Sequence, residues 1–285
     1  MKRENKALTL VELLIVLAIM ALLVGILIPA LSVVKKAARE VKQKAQFATI
    51  EMALQAFRND YGDYPPSKGF NYPADPGGDG YLNYCGAQKL AEALVGWDLL
   101  GFHPKSDWLS TGRNLAEIDI YDANDPLLLD QRKGPYLELA TASVFRLGNI
   151  SPQYPGLFRD TDPLNPDTFV LCDAFGAKTV MMPNGKVVKA GAPVLYYRAN
   201  QSAKTITQIY DPRDNDMIVM IKQTDDAKDH PLGYTAGGYQ NFYDYIRDPK
   251  ITAMPQPYRP KSYILISAGS DGLYGTSDDI KNFGD

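Results

Sequence analysis

The sequence predicts an α+β protein in which a long N-terminal α-helix packs on a small antiparallel β-sheet, with large loop-rich insertions. Three observations carry that expectation. An uncharged apolar run of 22 residues, Leu13–Val34, stands near the start of the chain, and a helical apolar period continues beyond it. Short segments rich in β-branched and aromatic residues, separated by turn residues, occupy the second half. Between them lie stretches dense in turn formers, in a chain of 285 residues with 23 Gly, 20 Pro and 18 Tyr.

The apolar run is long enough to cross a membrane. At 1.5 Å per residue a helix of this length spans about 33 Å, against a hydrocarbon core of about 30 Å. An ordinary secretory signal has a shorter core followed by small residues. "IPA", ending at Ala30, is a poor version of that site because Ile28 is bulky. A plain anchor fits the length but gives Glu12, one residue before the run, no task. A carboxylate drawn into the hydrocarbon costs a few kcal/mol, so it either sits solvated at the headgroup level or serves a function. The residues by themselves leave both readings open.

The stretch "KALTLVELLIVLAIMALLVGILIPAL" resembles the class III signal of type IV pilins and pseudopilins. The resemblance implies a leader, residues 1–7, carrying Lys2, Arg3 and Lys6. It implies cleavage between Ala7 and Leu8 by a prepilin peptidase, and N-methylation at Leu8. Ala7 and Leu8 replace the family's usual glycine and phenylalanine. Thr9 and Glu12 fall at the second and fifth mature positions, and Pro29 matches a proline that often bends this helix. Glu12 would then pair with the terminal amine of a neighbouring subunit, since pairing offsets the desolvation of both charges.

On this resemblance, residues 8–34 form the transmembrane or filament-core half of the helix. Residues 35–60 form its amphipathic half, and residues 61–285 a periplasmic pilin-like body. The expected function is that of a structural subunit of a type II secretion pseudopilus, most like the major pseudopilin. A type IV pilus subunit is the alternative, followed by a membrane-anchored binding domain. The implied partners are other copies of the chain, other pseudopilins, the prepilin peptidase, the inner-membrane secretion platform and membrane lipid. The implied location is the bacterial inner membrane, crossed once. Counting basic residues alone favours the opposite orientation, because Lys35, Lys36, Arg39, Lys42 and Lys44 follow the span. Loss of the leader removes three basic and one acidic side chains, taking the charge from -3 to -5.

Past Ser32, the residues Val34, Ala38, Val41, Ala45, Ala48 and Met52 recur at steps of three and four. This predicts one helix from about Leu10 to Arg58, bent near Pro29, with that stripe laid on the body. Pro65 and Pro66 end it, and residues 61–81 read as a surface loop. A second helix is expected within Ala87–Phe102. "FVLCDAF", "KTVMM", "KVVK", "PVLYYRA" and "YILISAG" read as strands, with an Asn-Gly hairpin turn at Asn184 and Gly185. Asp173–Gly176 is similar to a family turn that links two sheet strands. Residues 105–167 and 205–260 are poorly patterned. The Tyr/Gly-rich stretch near residues 233–249 looks like an exposed loop, its tyrosines read as packing on the sheet in preference to forming a partner surface.

The chain closes on "SAGSDGLYGTSDDIKNFGD". Calcium takes six to eight oxygens from carboxylates and carbonyls on a tightly folded loop, and glycine permits such turns. The residues alone favour a solvated acidic turn over a calcium loop. The stretch resembles the C-terminal calcium loop of major pseudopilins, which implies Asp271, Asp278 and Asp279 as side-chain ligands, with Ser267 and Ser270 as further ones. Nothing points to an enzyme. His103 and His230 have no partner nearby in sequence, and there is no H-E-x-x-H, C-x-x-C, G-x-S-x-G or P-loop. A net charge of -3 argues against nucleic acid as a partner. Cys85 and Cys172 read equally as one bridge or as two buried thiols.

Overall fold

The computed structural model describes residues 10–68, 84–139, 142–149, 155–159, 164–176, 178–182 and 185–284. The chain separates into two compact units, Met1–Val41 and Lys42–Asp285. Helix α1 runs from Leu10 to Tyr61.

In the first unit α1 is apolar and uncovered. The 18-residue stretch best suited to crossing a membrane buries none of its residues. The helix continues through Pro29, which has no N–H to donate back, and Ser32 Oγ donates to the Pro29 carbonyl at 2.7 Å.

In the second unit α1 buries Gln43, Phe47, Ile50, Ala53, Leu54 and Phe57. This corrects the expected stripe: Ala45 and Ala48 are exposed, Val41 is 68% exposed and Met52 66%. Both sets have helical spacing. Burial follows the larger apolar area of the Phe, Ile and Leu face, because an alanine stripe removes little surface from water. Two glutamines on that side anchor the helix to the body. Ala174 N–H donates to Gln43 Oε1 at 2.7 Å, and Gln46 Nε2 donates to the Cys172 carbonyl at 2.9 Å.

The strands form three small antiparallel sheets rather than the single one expected. β1 (Val144–Arg146) pairs with β2 (Phe169–Leu171), and β3 (Lys178–Met181) with β4 (Val187–Ala190). The third sheet runs β5 (Leu195–Arg198), β6 (Tyr263–Ser267), β7 (Ile280–Lys281). Gly185, at φ 77°, closes the β3–β4 hairpin as expected, while Pro183 and Asn184 lie outside the described residues.

The β5–β6 pair is buried on both faces, and its register shows how. Tyr196 lies opposite Leu265, and Leu195 opposite Ile266. Val194, Tyr196, Tyr263 and Leu265 pack with Phe47, Ile50, Leu54 and Phe57 of α1. The alternate residues Leu195, Tyr197, Ile264 and Ile266 pack with Ile209, Ile218, Phe242 and Ile246. These come from α4 (Ile206–Ile209), α5 (Asp216–Asp226) and α6 (Gln240–Ile246), so the poorly patterned 205–260 segment is the second cover. Helix α2 (Gly86–Val95) is wholly buried, docked where Asn215 accepts from Ala87 N–H and donates to the Tyr196 carbonyl. A short helix α3 (Pro126–Gln131) is capped by Asp125. Cys85 and Cys172 are both free and buried.

The two helical stripes are distinguished by substitution. Leu54→Ala removes a side chain of 0% exposure and should cost about 2–5 kcal/mol in denaturant unfolding, while Met52→Ala should change stability by about 0.5 kcal/mol or less.

Candidate functional site

Two regions carry the residues singled out from the sequence. Ala7, Leu8 and Thr9 lie outside the described residues. Glu12 stands in the first turn of α1, exposed, where a carboxylate is favoured by the unpaired N–H groups of the helix end. Every residue after it to Val34 is exposed as well.

The acidic loop is built between β6 and β7. Gly269, Gly272 and Gly275 take positive φ of 63°, 75° and 97°. Gly269 is also sterically required, since a Cβ there would stand 2.3 Å from the Asp278 carbonyl oxygen. Asp278 closes the loop. Its Oδ2 accepts from Ser270 N–H at 2.8 Å, Ser270 Oγ at 2.7 Å and Asp271 N–H at 3.1 Å, and its Oδ1 from Thr276 Oγ1 at 2.7 Å. Burial works to raise its pKa, but these hydrogen bonds outweigh it and hold the carboxyl well below the usual carboxylate range. Asp279 turns elsewhere, accepting from Tyr245 OH at 2.6 Å and Gly275 N–H at 2.7 Å. Burial pushes its pKa up to about 6.

The structure therefore gathers Ser270, Asp271 and Asp278 and directs the other two candidates away. Ser267 donates instead to Asp173 Oδ2 at 3.0 Å. Asp173 is itself buried, accepts from Phe175 and Ala192 N–H, and is raised by burial to about 6. The outer side of the loop is held by α5 and the segment after it. Lys228 Nζ donates to the Asp271 carbonyl at 2.9 Å, and Tyr274 N–H donates to His230 Nδ1 at 3.2 Å. Burial pushes His230 down to about 4. Sequence reading overlooked Thr276, Tyr245, Lys228 and His230. Only Thr276, inside the "GTSDD" run, carried a local signal.

As folded, this donor set is already engaged by protein groups. Among the described residues no group of three or more His, Cys, Asp or Glu side chains is placed to hold a metal. Asp278 is saturated by protein donors, Asp279 points to Tyr245, and an ammonium already serves the Asp271 carbonyl.

The shifted groups set opposite pH dependences. Asp279 has a folded pKa above its unfolded value, so it stabilises below about 4 and that contribution is lost as pH rises through about 6. His230, with its folded pKa depressed, stabilises above about 6.5 and loses that contribution as pH falls towards about 4. Asp279→Asn should therefore raise the thermal midpoint at pH 7.5 relative to pH 4.5, by a change on the order of 1 kcal/mol. His230→Gln should do the reverse, sparing the protein at pH 4.5.

Compared with known proteins, the chain matches a family model described as a prokaryotic N-terminal methylation motif, over residues 2–28. No curated protein and no solved structure matches it. The chain thus carries a prepilin-type methylation motif at its N-terminus, continuous with an apolar helix and ahead of a mixed α/β body.

Proposed function

We propose that the chain is a structural pseudopilin subunit. A prepilin peptidase cuts between Ala7 and Leu8, Leu8 is N-methylated, and the subunit polymerises through its N-terminal helix into a type II secretion pseudopilus. The observation that carries this reading is a methylation motif overlapping an apolar helical stretch of which no residue is buried. Such a surface needs lipid before assembly and neighbouring subunits after it. Cleavage before Leu8 would leave Glu12 four residues beyond a new positive terminus, close to the level at which a neighbour's amine arrives. The chain would cross the bacterial inner membrane once, with the body in the periplasm. Likeness of the C-terminal loop to that of major pseudopilins favours a secretion pseudopilus over a type IV pilus.

Calcium binding at that loop is a separate proposal. An ion would have to displace the Ser270 and Asp271 amides from Asp278 and draw Asp279 off Tyr245. Millimolar calcium should then raise the thermal midpoint over that in chelator, and Asp278→Ala should abolish the rise; equal midpoints would remove the ion from the reading.

Mass spectrometry of the mature protein should find a chain beginning at N-methylated Leu8. A chain beginning after Ala30, or an intact Met1, would overturn the proposal. Glu12→Ala should insert in the membrane at wild-type levels and fail to enter filaments; normal assembly would refute the role given to Glu12.

A further inference from the structure

Neither cleavage of the leader nor a filament role for α1 uses the basic residues that follow its apolar run. From Leu13 to Val34 the chain carries no charge, and the next five residues, "KKAAR", hold Lys35, Lys36 and Arg39 and no acid. All three belong to the first unit, lie within α1 and are exposed. Among the described residues, none of their side chains has a hydrogen-bond or ion-pair partner.

Helical geometry places the three together. At 3.6 residues per turn, Lys35, Arg39 and Lys36 fall within an arc of about 100°, and Ala37 and Ala38 lie outside it. At 1.5 Å per residue they cover about 6 Å along the axis, beginning one residue past Val34. With Leu13–Val34 filling the hydrocarbon, they stand in the headgroup layer, which is about 5–8 Å deep on each side. Lys42 and Lys44 come eight and ten residues after Val34. That is about 12 Å or more of helical rise, past the headgroups. The first acid after the run, Glu40, also comes after the three.

We propose that Lys35, Lys36 and Arg39 bind the headgroup of an anionic phospholipid, in the leaflet that this end of α1 reaches. The site is continuous with an apolar stretch that needs acyl chains around it, so lipid is the partner already at hand. Lysine and arginine lay their stems along such a surface and hold the charged end at its edge. The Arg39 guanidinium can grip a phosphate with two parallel N–H groups, and the lysines add point charges. A soluble anion would gain little from three solvated cations on flexible stems. A lipid phosphate is kept at their depth by its own acyl chains, which raises its effective concentration there. A zwitterionic headgroup carries the same phosphate, but its own cation offsets the attraction. The inference rests on the membrane insertion of α1 given above, and on neither its orientation nor filament assembly.

The test uses the full-length chain in phosphatidylcholine vesicles with a trace of spin-labelled lipid, either phosphatidylglycerol or phosphatidylcholine. Paramagnetic resonance reads the share of each label slowed by contact with the helix. The phosphatidylglycerol label should be enriched about fivefold or more over the other, the gain expected from even one basic residue at an anionic surface. The enrichment should shrink in molar salt, where charges act over only about 3 Å. Lys35→Gln, Lys36→Gln and Arg39→Gln combined should lower it at least about threefold. These side chains are exposed, so the variant keeps its fold. Lys42→Gln with Lys44→Gln should leave the enrichment close to the wild-type value. Lys2, Arg3 and Lys6 are common to all three proteins, so the differences report residues 35–39 alone. Equal shares of both labels in the wild type, an enrichment unchanged in the triple variant, or an equal loss in the Lys42 and Lys44 variant would each overturn the proposal. No slowed label of either kind would show that α1 does not insert, and would overturn the membrane reading together with this one.

Discussion

A sheet whose two faces are both apolar cannot stand with one of them in water, and the body of this protein is arranged around that constraint. β5 and β6 place Tyr196 and Leu265 on one side and Leu195, Tyr197, Ile264 and Ile266 on the other, all buried. One cover is the Phe47–Phe57 stretch of α1, and the other is the group α4 to α6. The covers are joined to the sheet by long irregular segments, whose backbone groups need partners of their own. Tyrosine supplies many of these, because a ring can enter the core while its hydroxyl reaches a carbonyl. Tyr196, Tyr210 and Tyr274 are buried and donate to the carbonyls of Pro65, Arg259 and Pro193. The high tyrosine content is thus a means of fastening loops to a sheet that has no solvated face.

What the sequence made legible follows from the range of the interactions involved. "YILIS" is a continuous apolar run, and such a run marks a strand covered on both sides. The β3–β4 hairpin was legible because Gly185 meets a purely local demand for positive φ. The covering helices were not. α4 has four residues and α6 seven, too short for a helical period to stand out, and α6 is half aromatic. The face of α1 was misread for a different reason. Two stripes share its spacing, so spacing alone could not choose between them; the larger apolar area of Phe47 and Leu54 over Ala48 does. β1 and β7 have three and two residues and exist only through their partners.

The candidate loop shows the same division. Its glycines and aspartates announced a tight acidic turn, and the positive φ of Gly269, Gly272 and Gly275 agrees. Asp278 is held by its own loop, but the directions of Asp279 and Ser267 depended on groups far away in sequence. Tyr245 takes Asp279, and Asp173 takes Ser267, from 34 and 94 residues off. Lys228 reaches the Asp271 carbonyl across 43 residues. A composition that reads as a ligand set can therefore fold into a self-satisfied turn, once hydroxyls, amides and one ammonium supply what an ion would.

Two carboxylates of the second unit are each held by a set of protein donors. Asp173 is surrounded by two amides and a hydroxyl, and Asp278 by two amides and two hydroxyls. The first unit poses the corresponding problem in apolar surface. Leu13 to Val34 offers no charge to water and buries none of its side chains. There the physical reason to look beyond the chain is a requirement its own residues leave unmet. For the helix that requirement is large, sided all round and continuous with the methylation motif.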